Sequence, residues 1–204
     1  MIHARQIIAI SLVLLLAACA STPPQNTSNI CSMFEERRSW FKAARKSERR
    51  WNVPMEVTMA FMRQESSFES RARPPRTKLL WVIPWKRPSN AFGYAQALDS
   101  TWNDYQESAG NWGAKRSNFE DAADFIGWYN NNSANRNRLG RNDAYNLYLA
   151  YHEGSGGYSR GTFRSKPWLM EVAENVQRNA SVYEQQLAGC EKDLSRNWFM
   201  RLFF

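Results

Sequence analysis

The sequence predicts a mainly helical domain with, at most, one small β-hairpin. Between residues 33 and 187, apolar side chains recur at the three- and four-residue spacing of amphipathic helices in one segment after another. The alternation of strand and helix patterns that marks a parallel sheet is absent, and so is any internal repeat. With 204 residues, the chain is long enough for one domain with a substantial core.

The first three helices follow from apolar spacing and from capping residues. The pattern predicts one helix over residues 33–50 and a second over 54–68, in which Pro54 suits the first turn. Asp99 or Ser100 is expected to cap the third helix, because short oxygen-bearing side chains accept hydrogen bonds from the free N–H groups of a helix start.

Three further helices are predicted in the second half of the chain. An amphipathic pattern begins after Asn118, and another helix is expected to start at Asn142 or Asp143 and to end at Gly154. Pro167 is expected to open a last long helix that continues to about residue 187. A small hairpin is expected near residues 75–95.

The first 18 residues are predicted to be an export signal. Arg5 gives a short basic start, and Ile7 to Leu16 form an apolar run that is too short to span a bilayer as a helix. The stretch Leu16-Ala17-Ala18-Cys19 resembles the lipobox of bacterial lipoproteins, in which the cysteine becomes the first mature residue and is lipidated. The alternative is an ordinary signal peptide with an incidental cysteine.

Lipidation of Cys19 implies a location for the protein. Ala20, rather than Asp, follows the cysteine, and in such lipoproteins this pattern directs the protein to the outer membrane, facing the periplasm. Residues 19–30 are small and polar and include proline, which predicts a flexible tether. Residues 31–204 would then be the folded domain.

Two cysteines remain inside the predicted domain, Cys31 and Cys190. In an oxidising periplasm we expect them to form one disulfide that closes almost the whole domain. The alternative is a pair of buried free thiols, because the sequence does not show whether their Cα atoms lie within bridging distance.

Composition narrows the partners and the chemistry. The net charge of +8 suits an anionic polymer or a membrane surface, and for an exported lipoprotein we expect no nucleic acid partner. His152 is the one histidine outside the leader, so we predict no metal site, and the chain lacks phosphate-loop and serine-hydrolase motifs. No cofactor is expected, and the protein is predicted to be monomeric.

Glu65 is the first candidate for a catalytic residue. At helical spacing it shares a face with Val57, Phe61 and Phe68, so its carboxyl should be desolvated and its pKa raised. A carboxylic acid that keeps its proton near neutral pH suits general acid catalysis on a glycosidic oxygen. The alternative is a glutamate at a helix end whose carboxylate reaches water.

Three short motifs occur in a fixed order: Glu65-Ser66-Ser67-Phe68, then Gly93-Tyr94-Ala95-Gln96, then Ala150-Tyr151-His152-Glu153-Gly154. Together they resemble the soluble-type lytic transglycosylases and the related goose-type lysozymes, over roughly residues 50–190. The resemblance implies a lysozyme-like α+β fold, in which short helices and a small β-hairpin surround a sugar-binding cleft.

The resemblance also implies a reaction and a substrate, the glycan strands of peptidoglycan. Glu65 would protonate the oxygen that joins N-acetylmuramic acid to N-acetylglucosamine. It would then act as a base on the C6 hydroxyl of the muramyl sugar, which closes a 1,6-anhydro ring without water. Glycosidases usually need two carboxyl groups, but a substrate acetamido group can replace the second, and we find no clear second carboxylate near Glu65.

Other motif residues would contact or shape the sugar site. By the resemblance, Gly93 and Gln96 shape the cleft floor and bind sugar, and the Tyr151 hydroxyl lies near the catalytic carboxyl. Ser66 and Phe68 complete the first motif, and Tyr94, which replaces a family leucine, is a candidate for stacking on a sugar. The predicted substrate-binding set is Ser66, Phe68, Gly93, Tyr94, Gln96, Tyr151, His152 and Glu153.

The chain departs from the family pattern at several positions. His152 stands where the family usually has Asn; it is expected either to bind sugar or Tyr151, or to be an ordinary helix-end histidine. Glu153 is expected to be solvated in the turn, with the alternative that it positions a water. Residues 71–90 are extra sequence, expected to be a packed lid or a wall that meets glycan or membrane, and the aromatic tail 198–204 is expected to dock on the domain or rest at a lipid interface.

Two alternative functions remain open from the sequence. One is a muramidase of the same fold that uses water, with help from Glu153 or Asp99. The other is a non-catalytic wall-binding lipoprotein, against which the intact motif around Glu65 argues.

Overall fold

The computed structural model describes residues 22–79, 83–84 and 87–196, and it confirms the mainly helical, lysozyme-like fold class. The predicted leader, Cys19 and the aromatic tail lie outside the described residues. The helices are α1 (Ile30–Glu36), α2 (Arg38–Trp51), α3 (Met55–Ser66), α4 (Asp99–Ser108), α5 (Phe119–Asn137), α6 (Ala144–Arg160) and α7 (Pro167–Ser195). Across the described ranges, no helix has the length and apolar character that a membrane span needs.

Helix α3 lies at the centre of the core. It packs against the long helix α7 and touches α2 and α5, while α6 lies against both α5 and α7. Its side chains from Met59 to Met62 are 0% exposed, as expected for an uninterrupted apolar run in the middle of a core helix. Because each such large side chain contributes about 1.5–3 kcal/mol on burial, α3 is a firm support for Glu65 in its last turn.

The predicted helix over residues 33–50 is two helices, so that prediction is corrected. Arg37 leaves the helical conformation (φ −128°, ψ 72°) between α1 and α2. The change of direction brings Phe34 and Phe41 into edge-to-face contact, with ring centroids 5.4 Å apart. In an unbroken helix these two positions would lie about 10 Å apart along the axis, so core packing decides the break.

Helix α3 ends two residues before the predicted Phe68. Ser67 (φ 50°) and Phe68 (φ 64°) are both left-handed, and this turns the chain away from the helix axis. Such conformations are unfavourable for residues other than glycine. Phe68 is held there by complete burial and by its ring contact with Trp40, at 5.7 Å between centroids.

The helix starts are partly as predicted. The Asn118 side chain caps α5 by accepting from the Asp121 N–H, and Asp143 caps α6 by accepting from the Asn146 N–H. The prediction for α4 is wrong: Leu98 is the N-cap residue, without a side-chain bond, and Asp99 instead forms an ion pair with Arg116.

Gly154 interrupts α6 but does not end it. Its φ of 69° and ψ of 156° break the helical path, after which the helix resumes and continues to Arg160. Pro167 opens α7 as predicted, and α7 then runs beyond the expected end to Ser195. The predicted small hairpin is present, with Lys78–Leu79 paired antiparallel to Ile83–Pro84.

Cys31 and Cys190 form the predicted disulfide, with their Cα atoms 6.0 Å apart. It joins α1 to the last turns of α7 across 159 residues of chain. A covalent bond therefore joins the first and last helices of the described chain.

The residues before α1 do not form a free tether over their described length. Pro24 is buried, Thr27 O accepts a hydrogen bond from the Tyr183 hydroxyl, and Gln186 donates to Ser28 O at 3.1 Å. Ile30, placed in the tether by the sequence analysis, is fully buried. The prediction of a flexible tether over 19–30 is thus corrected for 22–30, because α7 offers hydrogen-bond partners that a sequence pattern does not reveal.

Candidate active site

Glu65 occupies the last turn of α3 and is only half-buried by accessible surface. The carboxyl is nevertheless surrounded by protein atoms, and this burial raises its pKa from 4.5 to about 7. The Glu65 carboxyl thus combines dense protein surroundings with some remaining solvent access. Near neutral pH a large fraction of Glu65 therefore keeps its proton while remaining within reach of a ligand.

Tyr148 on α6 is the residue that interacts most directly with this acid. Its hydroxyl donates a hydrogen bond to the Glu65 carboxyl, which lowers the pKa of Glu65 and offsets part of the effect of burial. Its ring contacts Phe61 edge-to-face at 5.3 Å, one turn before Glu65 on α3. No functional role for Tyr148 was predicted from the sequence. Its spacing of three residues from Tyr151 nevertheless puts the two tyrosines on one helix face.

Tyr151 lies beside the acid but directs its hydroxyl elsewhere. The hydroxyl donates to the carbonyl oxygen of Ala95 at 2.6 Å and so joins α6 to the second motif. Burial, followed by the Glu65 charge, raises the Tyr151 pKa well above its usual value, so the phenol stays protonated. The structure thus brings the third motif against α3, where the Tyr151 and Phe61 rings lie 5.3 Å apart, and Tyr151 also links to the second motif through Ala95.

Ser66 and Phe68 make their contacts inside the protein. The Ser66 hydroxyl donates to the carbonyl oxygen of Tyr94 at 2.8 Å and to that of Met62 at 3.1 Å. Phe68 is fully enclosed beside Trp40. The Ser66 hydroxyl connects α3 to the loop of the second motif, which is thereby held next to Glu65, whereas Phe68 packs against α2.

The second motif is a tight loop closed by a bridge between Phe92 and Ala97. Gly93 has a φ of 79°, and a Cβ atom on it would lie 2.1 Å from the Arg116 carbonyl oxygen, so only glycine fits there. The amide nitrogen of Gln96 donates to Ala72 O at 2.9 Å and to Gly93 O at 2.8 Å. Both amide hydrogens of Gln96 therefore serve the loop, and its half-buried side chain keeps an amide oxygen.

Tyr94 belongs to the core. It is 2% exposed, and its ring meets Trp40 and Phe119 edge-to-face at 5.8 and 5.7 Å. An enclosed ring has no free face for a sugar, so the predicted stacking role of Tyr94 is replaced by a packing role. The aromatic residue in this motif is explained by the gap between α2 and α5 that it fills.

Glu153 is committed to a local polar network. Its carboxylate accepts from Lys166 Nζ at 2.7 Å, from the Thr162 hydroxyl and from the His152 ring. The bond from Lys166 is the largest cause that lowers the Glu153 pKa to about 2, followed by that from Thr162. These three partners leave the Glu153 side chain only 4% exposed to solvent. Few other protein atoms lie around the carboxylate. The expectation that Glu153 is solvated in a turn is therefore wrong.

His152 lies at the surface beside an exposed tryptophan. Its ring meets that of Trp168 edge-to-face at 5.1 Å, and Trp168 is 54% exposed at the start of α7. His152 follows Tyr148 by four residues and therefore lies on the same side of α6 as the partner of Glu65. The sequence analysis did not single out Trp168, because helical spacing alone does not show which tryptophan stays exposed.

Comparison with known proteins identifies the family. The family model described as Transglycosylase SLT domain matches residues 7–190, which include almost all of the described helices. The chain belongs to the transglycosylase SLT domain family. A search of curated proteins found no match. Family membership supports an SLT domain that acts on peptidoglycan in the general manner of lytic transglycosylases.

In the described part of the chain, no group of three or more His, Cys, Asp and Glu side chains is arranged to hold a metal ion. Glu65, with its raised pKa, is the acid that the fold positions between the three motifs.

Proposed function

We propose that this SLT domain is a lytic transglycosylase that cuts the β-1,4 bond between N-acetylmuramic acid and N-acetylglucosamine and leaves a 1,6-anhydro end. The observation that supports this most is the Glu65 pKa of about 7, with burial as its cause. Such a group is available both as an acid and, after it gives up its proton, as a base.

In the first step, protonated Glu65 gives its proton to the glycosidic oxygen, and the bond from that oxygen to C1 of the muramyl sugar breaks. Positive charge develops at C1, and the carbonyl oxygen of the sugar's own acetamido group attacks it, in the place of a second enzyme carboxylate. Tyr148 stabilises the Glu65 carboxylate that forms, since its hydroxyl already donates to that group.

In the second step, the Glu65 carboxylate takes the proton of the C6 hydroxyl on the same sugar. The C6 oxygen then attacks C1, displaces the acetamido oxygen and closes the 1,6-anhydro ring. The proton that Glu65 takes from the C6 hydroxyl replaces the one that it gave to the glycosidic oxygen. The acid is therefore restored in each cycle, and no water is consumed.

Hydrolysis by the same fold would need a base that activates water. Glu153 is a weak base, because its pKa is lowered to about 2 and its oxygens are occupied by Lys166 and Thr162. Asp99 is engaged by Arg116 and by the amide of Asn90. No carboxylate among the described residues contributes to the Glu65 pKa, which favours the reaction with a single acid.

The other motif residues divide into supporting and contacting roles in this proposal. Ser66, Gly93 and Tyr94 hold the second-motif loop beside the acid through the contacts described above, and Phe68, just after the end of α3, packs against Trp40. The half-buried amide oxygen of Gln96 and the exposed His152 are the groups proposed to meet sugar hydroxyl and acetamido groups. Tyr151 fixes the loop through Ala95 and supplies a neutral phenol next to Glu65.

We also propose that lipid on Cys19 anchors the protein at the outer membrane on the periplasmic side, on the basis of the lipobox-like sequence. Thr22, three residues later, already accepts a hydrogen bond from Arg37 on the domain. Three residues span about 10 Å at most, so the anchor would hold the domain close to the membrane. Incorporation of labelled fatty acid into the parent, but not into a Cys19→Ser variant, is the expected result.

The reaction is tested by digestion of purified sacculi with the parent protein and with Glu65→Gln. Mass analysis of the soluble products should show 1,6-anhydro ends with the parent. Glu65→Gln should release none, because Gln has no proton to give and cannot act as a base. Glu69 is exposed and lies four residues after Glu65, so Glu69→Gln is the matched control. This variant should digest sacculi like the parent.

Each contrary outcome has a distinct meaning. Reducing ends in place of anhydro ends would show a water-using muramidase. Undiminished digestion by Glu65→Gln would remove Glu65 from the mechanism. Binding to sacculi without any release by the parent would show a wall-binding protein instead of an enzyme.

A further inference from the structure

Two adjoining cavities follow α5 and α6 away from Glu65 and Tyr151. The first, of about 520 Å³, is bordered by Trp128 and Tyr129 on α5 and by the Gly154–Gly156 segment of α6. The second, of about 380 Å³, is bordered by Arg138, Arg164 and the rings of Tyr158 and Phe163. Arg136 borders both cavities, so they adjoin at this side chain, and together they are here called the α5–α6 groove.

The inner end of the α5–α6 groove adjoins the catalytic centre. The Tyr129 ring lies 4.9 Å from that of Tyr151, and the Tyr129 hydroxyl donates to Ala150 O. The irregular backbone of Gly154, three residues after Tyr151, borders the groove directly. The inner cavity therefore begins beside Tyr151, whose ring also contacts Phe61 one turn before Glu65.

The outer end of the α5–α6 groove is basic and lacks internal compensation. Arg136, Arg138 and Arg164 converge on the second cavity, and none of them forms an ion pair with a carboxylate in the described parts of the chain. Arg50, which borders another cavity, is by contrast paired with Asp124. Three uncompensated guanidinium groups form a site for an anion with two or more oxygens, since guanidinium matches carboxylate geometry.

Part of this basic end is held in place before any ligand arrives. Arg136 donates to the Ser155 hydroxyl at 2.7 Å, and the Arg164 guanidinium lies over the Phe163 ring. The Arg136 charge acts on Tyr129, whose pKa it lowers against the larger effect of burial. Seven residues of helix separate Tyr129 from Arg136, which places the charge about 10 Å along α5 from the inner end.

We infer that the α5–α6 groove binds the peptide stem of the muramyl sugar, with the stem carboxylates held by Arg136, Arg138 and Arg164. This inference rests on the proposed function. The stem branches from the muramyl sugar whose C1 reacts at Glu65, so it leaves the cleft at the reaction centre and carries free carboxylates. A neutral glycan gains little from three unpaired guanidinium groups. The protein would thus prefer peptide-bearing strands to naked ones.

The test compares two substrates made from one preparation. Intact sacculi are digested in parallel with sacculi whose stems an amidase has removed, by the parent and by the double variant Arg138→Gln/Arg164→Gln. The double variant should lose roughly tenfold or more in kcat/KM on peptide-bearing strands, the loss that corresponds to broken charge-assisted hydrogen bonds. On peptide-free strands the double variant and the parent should be equal.

A matched control removes the same charge elsewhere. Lys42 and Arg49 border a separate cavity along α2, and Lys42→Gln/Arg49→Gln should behave like the parent on both substrates. Binding of a disaccharide-tetrapeptide, compared with the bare disaccharide, in the Glu65→Gln background gives a readout that does not need catalysis. There the arginine variant should weaken only the peptide-bearing ligand.

Several outcomes would overturn the inference. Equal loss on both substrates would show a structural effect of the substitutions, and no loss on peptide-bearing strands would show that the arginines do not bind the stem. In either case cleavage by the parent would leave the proposed function intact. If the parent cleaved neither substrate, both the function and the inference would fail.

Discussion

The Tyr148 hydroxyl donates a hydrogen bond to the carboxyl group of Glu65, across the contact between α6 and α3. Burial raises the Glu65 pKa, and the hydrogen bond from Tyr148 lowers it in part. The net result of the two effects is a pKa of about 7. The pair therefore sets how much of Glu65 is an acid, and how much a base, at a given pH.

Tyr148→Phe should move the pH dependence of cleavage. Removal of a bond that lowers the Glu65 pKa raises that pKa, so the protonated form persists to higher pH. The parent's kcat/KM should fall as pH rises through about 7, and the falling limb of Tyr148→Phe should lie at higher pH. An unmoved limb in a pH–rate profile of the variant would contradict the role of Tyr148.

Glu65→Gln should stabilise the protein progressively as pH rises from 4.5 to about 7, and by a constant amount above that. The folded pKa of about 7 lies above the usual 4.5, so the parent buries a charge above pH 7 and buries none below 4.5. The parent should therefore lose stability relative to the variant as pH rises through this window, by up to about 3 kcal/mol. Urea unfolding at both ends of the window measures this, and a difference that does not change with pH would refute it.

Glu153→Gln should leave the products of cleavage unchanged. Because Lys166 and Thr162 occupy its carboxylate, we expect only anhydro ends from the variant and at most a modest loss of rate. The Glu153 pKa is depressed, so its stabilising effect is present above pH 4.5 and is lost as pH falls towards about 2. Mass analysis checks the products, and a shift in the ratio of anhydro to reducing ends would return Glu153 to the chemistry.

Trp168→Ala should weaken glycan binding. Trp168 is 54% exposed and lies beside His152, which is one helical turn beyond Tyr148. An exposed aromatic face suits the apolar face of a sugar ring. We expect a higher KM with little change in kcat on sacculi. Trp112, which is 71% exposed in the segment after α4, offers the control. Equal behaviour of Trp168→Ala and Trp112→Ala would assign Trp168 no part in binding.

Loss of the disulfide should cost stability but leave the site intact. The Cys31–Cys190 bond closes 159 residues, and in the chain-entropy model such a loop contributes about 4–5 kcal/mol. Guanidinium unfolding of Cys31→Ser/Cys190→Ser should show a decrease of this order, with cleavage retained under conditions in which the variant is folded. A midpoint equal to that of the oxidised parent would show that the bond adds no stability.

The fold class, the positions of most helices and Glu65 as the candidate acid could all be inferred from the sequence, which also favoured a bond between Cys31 and Cys190. These follow from local information: apolar spacing, capping residues, the composition of an exported chain, and the order of three motifs. The raised Glu65 pKa could be anticipated because its neighbours on the helix are apolar.

Which groups each side chain contacts follows from the packing of the elements in three dimensions. Tyr148 as the partner of Glu65, the burial of Tyr94 and the ion pair between Glu153 and Lys166 all join parts of the chain that helical spacing does not relate. The break at Arg37 accompanies the contact between Phe34 and Phe41 on adjacent helices. Sequence spacing shows which side of its own helix a residue occupies, but not which element will pack against that side. The Glu65 proton, and with it the chemistry, therefore depends on the packing of α6 against α3.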